Sequence, residues 1–465
     1  MLPFHDMKRV MIALGLFASL GASALVSGAP VVAAETARRP NIIVMVTDDQ
    51  RHDALGVVQR EQGDHARFPF FETPHLDRLA AGGARFRNAF VTHSLCSPSR
   101  ASMLTGLQTS GHGIRDNRTP FRSLETWAAA LGVSGYRTGY FGKWHMGRQE
   151  DRPGFAEVLT FVDQGDYPNC RVLRNGVWEE TQGWVDDVTT TEAIAFIGRR
   201  RAEPFAMMIG YKSPHDPRQP PARHAERYAG QRIAEPASFR ARPPFPWGDP
   251  SRPWNPTSQD RLNYFRCLRG VDDNVGRILA ALAENGLLED TLILFAGDNG
   301  YYLGEHGLGD KRSAYEESIR IPLLAHYPRR IPAGTVVDAL TLNVDLAPTI
   351  LAVAGVAPGW RMQGKSLVPL FGGSVPAEWR KEFLYENYQD PEYPEVTFDI
   401  LSLRTEFAKR VEYPGRPEWT QVFDLRTDPL ELRNLATDPG AAALTEDLRL
   451  RLAAAVRRLR QEGAR

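Results

Sequence analysis

The chain reads as an α/β protein: a doubly wound, mostly parallel sheet with helices on both faces, followed by a smaller C-terminal α+β subdomain. Three observations predict this. Four β-capable apolar runs share one ending: Asn41–Thr47 runs into Asp48 and Asp49, Tyr136–Phe141 leads to Lys143-Trp144-His145, Phe205–Tyr211 leads to Lys212-Ser213-Pro214-His215, and Thr291–Ala296 passes Gly297 into Asp298 and Asn299. Unbroken apolar runs suit strands covered on both faces, and open parallel sheets bind ligands at their carboxyl ends. A long amphipathic helix from Ser258 to Asn285 carries Leu262, Phe265, Leu268, Val271, Val275, Ile278 and Leu282 on one stripe, and Gly286 stops it. After Leu370-Phe371-Gly372-Gly373 the runs shorten, which places a boundary near residue 376.

The chain has 465 residues, enough for one large domain and a small one. Its 56 basic residues balance 56 acidic ones, and 42% of it is hydrophobic, which argues against disorder and against a nucleic-acid partner.

Taken in order, Lys8 and Arg9 precede an apolar run from Val10 to Val26, and Val32-Ala33-Ala34 offers small residues for cleavage. Residues 1–34 are thus expected to be a signal peptide, making the protein periplasmic or secreted with no stable membrane insertion. Residues 39–375 form the expected catalytic domain and 376–465 the subdomain. Thr73–Ala80 begins a helix whose apolar face suits scaffold. Phe86–Val91 is β-capable. Three cysteines, Cys96, Cys170 and Cys267, is an odd number for an exported protein, and a disulfide between Cys170 and Cys267 is an open option.

Cys96-Ser97-Pro98-Ser99-Arg100-Ala101-Ser102-Met103-Leu104-Thr105-Gly106 reads as a cysteine at the mouth of a helix, with Ser97 able to cap and Pro98 suited to a first helical position. Free N–H groups and the positive helix end favour an anion there. Cys96 could be a thiolate of low pKa or a group facing an anionic substrate.

Asp48, Asp49, Asp298 and Asn299 offer only oxygen ligands, which suits a hard cation, Ca²⁺ ahead of Mg²⁺, and not zinc.

The block at Cys96 resembles the signature of the type I sulfatases of the alkaline phosphatase superfamily, Cys-x-Pro-Ser-Arg followed by Leu-Thr-Gly. Lys143 and His145 resemble that family's Gly-Lys-x-His element, and His215 its histidine after a middle strand. Lys311, in Gly304-Glu305-His306-Gly307-Leu308-Gly309-Asp310-Lys311, resembles its late lysine. Asp424-Leu425-Arg426-Thr427-Asp428-Pro429-Leu430-Glu431 resembles its C-terminal turn, so the likeness runs from Pro40 to about Asn434.

The resemblance implies an alkaline-phosphatase-like fold and a Ca²⁺ on Asp48, Asp49, Asp298, Asn299 and residue 96. It also implies that a maturase oxidises Cys96 to formylglycine, whose hydrate attacks sulfur, assisted by Arg100. Lys143 and Lys311 would grip the sulfate, His215 with Lys311 would protonate the departing alcohol, and His145 would take the proton of the second hydroxyl. Three carboxylates against Lys143, Lys311 and Arg100 leave no net charge, so a divalent cation is needed to attract a sulfate monoester.

Sulfated sugars are the expected substrates. The stretch Asp116-Asn117-Arg118-Thr119-Pro120 and the C-terminal half resemble bacterial N-acetylglucosamine-6-sulfatases. Pro217–Pro256, with ten prolines and seven arginines beside Trp247 and Trp254, is expected as an irregular loop whose start borders the pocket. Two rivals are a phosphonate monoester or phosphodiester hydrolase of the same superfamily and a non-catalytic binder of sulfated glycans. The Asp48-Asp49 and Asp298-Asn299 pairs and the full set of acids and bases disfavour them.

Overall fold

The structure, a computed structural model, describes residues 39–147, 150–246 and 257–463. The expected signal peptide lies outside those residues, as do Trp247 and Trp254.

Ten strands form the main sheet. Five of them are parallel neighbours in the order Thr291–Gly297, Asn41–Thr47, Phe205–Gly210, Arg137–Lys143, Glu157–Phe161. Thr47 pairs with Gly297, and Val46 with both Ala296 and Gly210. That register brings Asp48 and Asp298, each one residue past its strand pairing, to the same carboxyl edge. Leu323–His326 and Arg171–Arg174 run antiparallel to the two borders of this parallel block.

The first strand is buried along its whole length because it has two cores to fill. Ile42, Val44 and Val46 pack with Trp127, Ala101 and Leu346 on one face, while Ile43 and Met45 pack with Val271, Val275 and Phe196 on the other. The long helix spans Ser258–Glu284, capped by Thr257, whose side chain accepts from the Asp260 N–H at 3.0 Å. It ends as its glycine predicts, with Gly286 at φ +66°. Thr73–Ala80 becomes the helix Pro74–Ala81.

Glu382–Asn387, Ile400–Thr405, Ala408–Glu412 and Gln421–Asp424 form a four-stranded antiparallel sheet. Its Leu384, Leu403 and Val422 lie against Leu448 and Leu452 of the closing helix, while Phe383, Tyr385 and Phe423 join the core of the main sheet.

The local expectations fare differently. From the sequence, Glu446–Gln461 reads as a closing amphipathic helix with Thr445 placed to cap it. The helix spans Ala442–Gly463, so Thr445 lies inside its first turn, its hydroxyl without a hydrogen-bond partner among the described residues, and does not cap it. Phe86–Val91 divides at Arg87-Asn88 into Ala84–Phe86 and Ala89–Phe90. Cys96, Cys170 and Cys267 are all free thiols, so no Cys170–Cys267 disulfide forms. The described part of Pro217–Pro256 is irregular apart from the short turns Ala222–His224 and Ala237–Arg240. Among the described residues no helix is long and apolar enough to cross a membrane.

Candidate active site

Cys96 is the first residue of the helix Cys96–Thr105, and extended Leu95 occupies the capping position without a side-chain bond. Ser97 is therefore not the cap: its hydroxyl donates to the His145 carbonyl and its N–H to Asn117 Oδ1, at 3.1 Å. Pro98 sits at the third helical position, where its missing N–H still costs nothing. Gly106 closes the helix at φ +71° with its N–H on Ser102 O at 2.9 Å. The sequence thus sends Cys96 to the foot of the strand edge, fully buried.

Its thiol donates to Asp48 Oδ1 at 3.3 Å. Burial pushes that thiol up to about 12, with Lys311 pulling the other way. A low-pKa thiolate is therefore not what residue 96 offers at neutral pH, because the helix N-terminus is outweighed by desolvation among three carboxylates.

Asp48, Asp49 and Asp298 bring one carboxylate oxygen each to within 4.8 Å of one another. Backbone bonds hold them there: Asp298 N–H reaches Thr47 O at 2.9 Å, Asp48 N–H reaches Ser213 O at 3.0 Å, and Asp49 N–H donates to Asp298 Oδ1 at 3.0 Å. Asp49 adopts φ +68°, a left-handed turn that aspartate tolerates and that places its side chain beside its neighbour's. Each carboxylate has a cation close against it, and Arg100 Nη2 also lies 3.9 Å from Asp48 Oδ2. Lys143 Nζ contacts Asp48 Oδ2, Lys311 Nζ lies 2.6 and 2.8 Å from the two oxygens of Asp49, and Arg100 Nε lies 2.9 Å from Asp298 Oδ2.

Burial works against the Lys311 ammonium, but Asp49 and its neighbours outweigh it and hold the pKa well above the usual range. At Lys143, burial and then the positive Lys212 push toward neutrality, while the Asp48 contact favours charge. We take Lys143 as charged, since neutralising it would leave Asp48 without its closest countercharge. Asp49 is pushed up to about 6, chiefly by burial, with Lys311 opposing and Asp298 adding to the rise.

The donor set fits a hard cation. Three carboxylates converge, and Asn299, which donates through Nδ2 to Asp49 Oδ1 at 2.7 Å, leaves its buried Oδ1 with no hydrogen-bond partner among the described residues. An orphaned amide oxygen beside convergent carboxylates is an oxygen ligand without a partner.

The two histidines stand above this floor. His215 Nδ1 donates to the Asp216 carbonyl at 2.7 Å, which leaves Nε2 as the lone pair, 3.8 Å from Asp49 Oδ2. His145 has Nε2 3.3 Å from the Gln164 amide nitrogen. Burial first, then Lys143, holds both imidazoles well below their usual pKa and hence neutral. A cavity of about 820 Å³ opens over them, lined by His145, Gln164, His215 and Lys311 below and by Arg312 and Asp390 above. Asp216 also lines it, so the loop that begins at Pro217 starts beside the pocket.

All the predicted site residues gather at this edge. Sequence reasoning missed several supports. Tyr264, on the long helix to which the sequence assigns no site role, donates to Asp49 O at 2.8 Å and accepts from the Arg51 N–H at 2.9 Å. Asp186 accepts from the N–H groups of Lys212 and Ser213 at 2.8 and 3.1 Å and so anchors the turn that carries His215. Gln164 had no motif. Arg312 had a faint one, since it directly follows Lys311.

Known proteins share this fold and family. Residues 40–356 match the Sulfatase family model, and residues 304–458 match that of the N-sulphoglucosamine sulphohydrolase C-terminal region. The chain is 30% identical to an N-acetylglucosamine-6-O-sulfatase of Bacteroides thetaiotaomicron, over 86% of this chain and 83% of that protein. It is also 30% identical to the multifunctional alkaline phosphatase superfamily protein PehA of Trinickia caryophylli, over 88% and 93%. A solved structure of a protein in complex with its substrate D-glucosamine-2-N,6-O-disulfate superposes with a TM-score of 0.82 at 28% identity, covering 91% of this chain and 99% of the other. The phosphonate monoester hydrolase of Agrobacterium radiobacter shares the fold, with a TM-score of 0.74 at 24% identity over 91% and 96%. With its family signature, its alkaline-phosphatase-like fold and relatives that act on sulfate esters, the chain belongs to the sulfatase family and is a sulfuric ester hydrolase.

Proposed function

We propose that the protein hydrolyses sulfate monoesters of sugars, using a formylglycine made from Cys96 and a Ca²⁺ held by Asp48, Asp49, Asp298, Asn299 and residue 96. The observation that carries this reading is the meeting of three carboxylates, the orphaned Asn299 oxygen and the Cys96 side chain at one buried sheet edge, with His145, His215 and Lys311 lining the cavity beside it. Hydrated formylglycine supplies a hydroxyl nucleophile, and the cation supplies the positive charge that the balanced carboxylates and amines lack.

The chain's own residues then have separable work. Asp48, already hydrogen-bonded to residue 96, orients that side chain. Lys143 and Lys311 shift from their carboxylates toward the sulfate oxygens and hold them through charge-assisted hydrogen bonds. Arg100, with an unpartnered terminal nitrogen and a grip on Asp298, adds positive potential beneath them. His215 Nε2, a lone pair in the resting site, takes the proton released by the attacking hydroxyl and passes it to the departing alcohol with Lys311 alongside, and neutral His145 is the base for the later release step.

Relatives acting on amino-sugar sulfates favour a 6-O-sulfated glucosamine derivative as substrate. A phosphonate or phosphodiester activity is the rival, supported by the likeness to PehA and opposed by the neutral Asn299 and the Asp48-Asp49 pair. The proposal includes a maturase as partner and export behind the leader at residues 1–34. Its test is turnover of sulfated mono- and disaccharides by protein co-expressed with a formylglycine-generating enzyme. Glucosamine 6-sulfates should be cleaved fastest, and faster cleavage of phosphonate esters would overturn the assignment.

A further inference from the structure

Gln164 joins the two basic groups that face the sulfate position. Its Oε1 accepts from Lys143 Nζ, and its Nε2 lies 3.3 Å from His145 Nε2. The orientation of a glutamine amide follows from its neighbours, and here one neighbour settles it. Lys143 Nζ presents N–H donors whatever its charge, so the amide oxygen faces it and the amide NH₂ faces His145. A donor on Gln164 requires an acceptor on the ring, so His145 Nε2 must be the bare nitrogen and the proton must sit on Nδ1.

We infer that Gln164 is a positioning residue that fixes His145 as its Nδ1–H tautomer and so aims the Nε2 lone pair at the Lys143 side of the cavity. The role in the reaction rests on the sulfatase reading above, whereas the tautomer does not. His145 Nδ1 is buried without a partner, so nothing else among the described residues selects the tautomer. Gln164 itself lies in the stretch that follows the Glu157–Phe161 strand and lines the cavity, where an incoming sulfate can draw its amide aside and free Nε2 to take a proton.

Two variants separate positioning from packing. Gln164→Met keeps length and removes both hydrogen bonds. Gln164→Glu keeps the bond to Lys143 but offers His145 only an acceptor, which calls the proton to Nε2. The readout is the ring ¹⁵N spectrum of histidine-labelled protein, with the His145 signals identified by their loss in His145→Gln. The expected wild-type pattern is protonated Nδ1 and bare Nε2; it should mix in Gln164→Met and invert in Gln164→Glu. In steady state, kcat should fall roughly tenfold to a hundredfold in Gln164→Met with KM nearly unchanged, as for a base left unaligned. Wild-type His145 protonated on Nε2, or a tautomer indifferent to both substitutions, would overturn the inference even in an active enzyme. An unchanged kcat with an altered tautomer would likewise overturn the positioning role.

Discussion

Two buried groups of charge in this molecule are built from the same kinds of residue. At the carboxyl edge of the main sheet, Asp48, Asp49 and Asp298 face Lys143, Lys311 and Arg100. Between that sheet and the C-terminal one, Glu316 and Glu431 share Lys409, whose Nζ lies 2.8 Å from each and 2.7 Å from the Ala314 carbonyl. Arg404 takes both oxygens of Glu316 at 3.1 and 3.2 Å, and the Glu316 N–H donates to Glu431 Oε2 at 2.8 Å. The second group spends its donors within itself and clamps the subdomain. The first leaves Asn299 Oδ1, Arg100 Nη2 and His145 Nδ1 without a hydrogen-bond partner among the described residues, and its Lys311 lines a cavity. Buried ion pairs by themselves do not mark a site; the first group differs in the two neutral imidazoles, His145 and His215, that line the cavity beside it.

The contrast is broken most severely by one substitution in each group. Asp298→Ala should lose bound calcium and activity together while melting close to wild type, because it removes a charged ligand and frees Arg100. Asn299→His should retain part of both. Activity that survives chelation and dialysis would remove the metal from the account. Lys409→Met should do the reverse, costing about 3–5 kcal/mol of stability by leaving two buried glutamates without their shared cation. Urea denaturation of the Lys409→Met protein, with activity assayed below the transition, checks that division.

A finer break falls within the site. His145→Ala should release about one equivalent of alcohol per enzyme and then stop, whereas His215→Ala should be slow from the first turnover and least impaired with a good leaving group such as nitrophenol. A burst in the His215 variant and none in the His145 variant would reverse the two roles.

The smallest effect probes a loose end of the clamp. Glu317 Oε2 has no hydrogen-bond partner among the described residues, with His306 Nε2 4.0 Å away, and burial, reinforced by Glu431, pushes its pKa up to about 7 from 4.5. The native protein then holds a proton that the unfolded chain loses between those values, so stability should fall as pH rises from about 4.5 to 7. Glu317→Gln should abolish that slope and gain on the order of 1–3 kcal/mol at pH 8. Parallel melting curves for the two proteins from pH 4.5 to 8 would contradict it.

The same contrast explains what was legible in the sequence. Asp48, Asp49, Asp298 and Asn299 each end an apolar run, so strand and ligand announce one another. The strand Ala408–Glu412 does not: it reads Ala-Lys-Arg-Val-Glu, yet it is an interior strand whose Lys409 is fully buried by ion pairs with residues from distant segments. Polar composition hides such a strand, because its burial depends on partners that only the fold assembles. Gln164 and Asp186 escaped for the same reason, as each acts through two hydrogen bonds to residues 19 to 27 positions away. The disulfide question failed differently, since spacing carries no distance between Cys170 and Cys267.

The central claim is that residue 96 acts only after its thiol has been converted. Intact and peptide mass spectrometry of protein made with and without a maturase, alongside turnover of a sulfated glucosamine, tests it directly. Activity should rise in proportion to the fraction of residue 96 carrying the aldehyde, and Cys96→Ala should be inert while still folded. Full turnover by protein whose Cys96 thiol is intact would contradict the account.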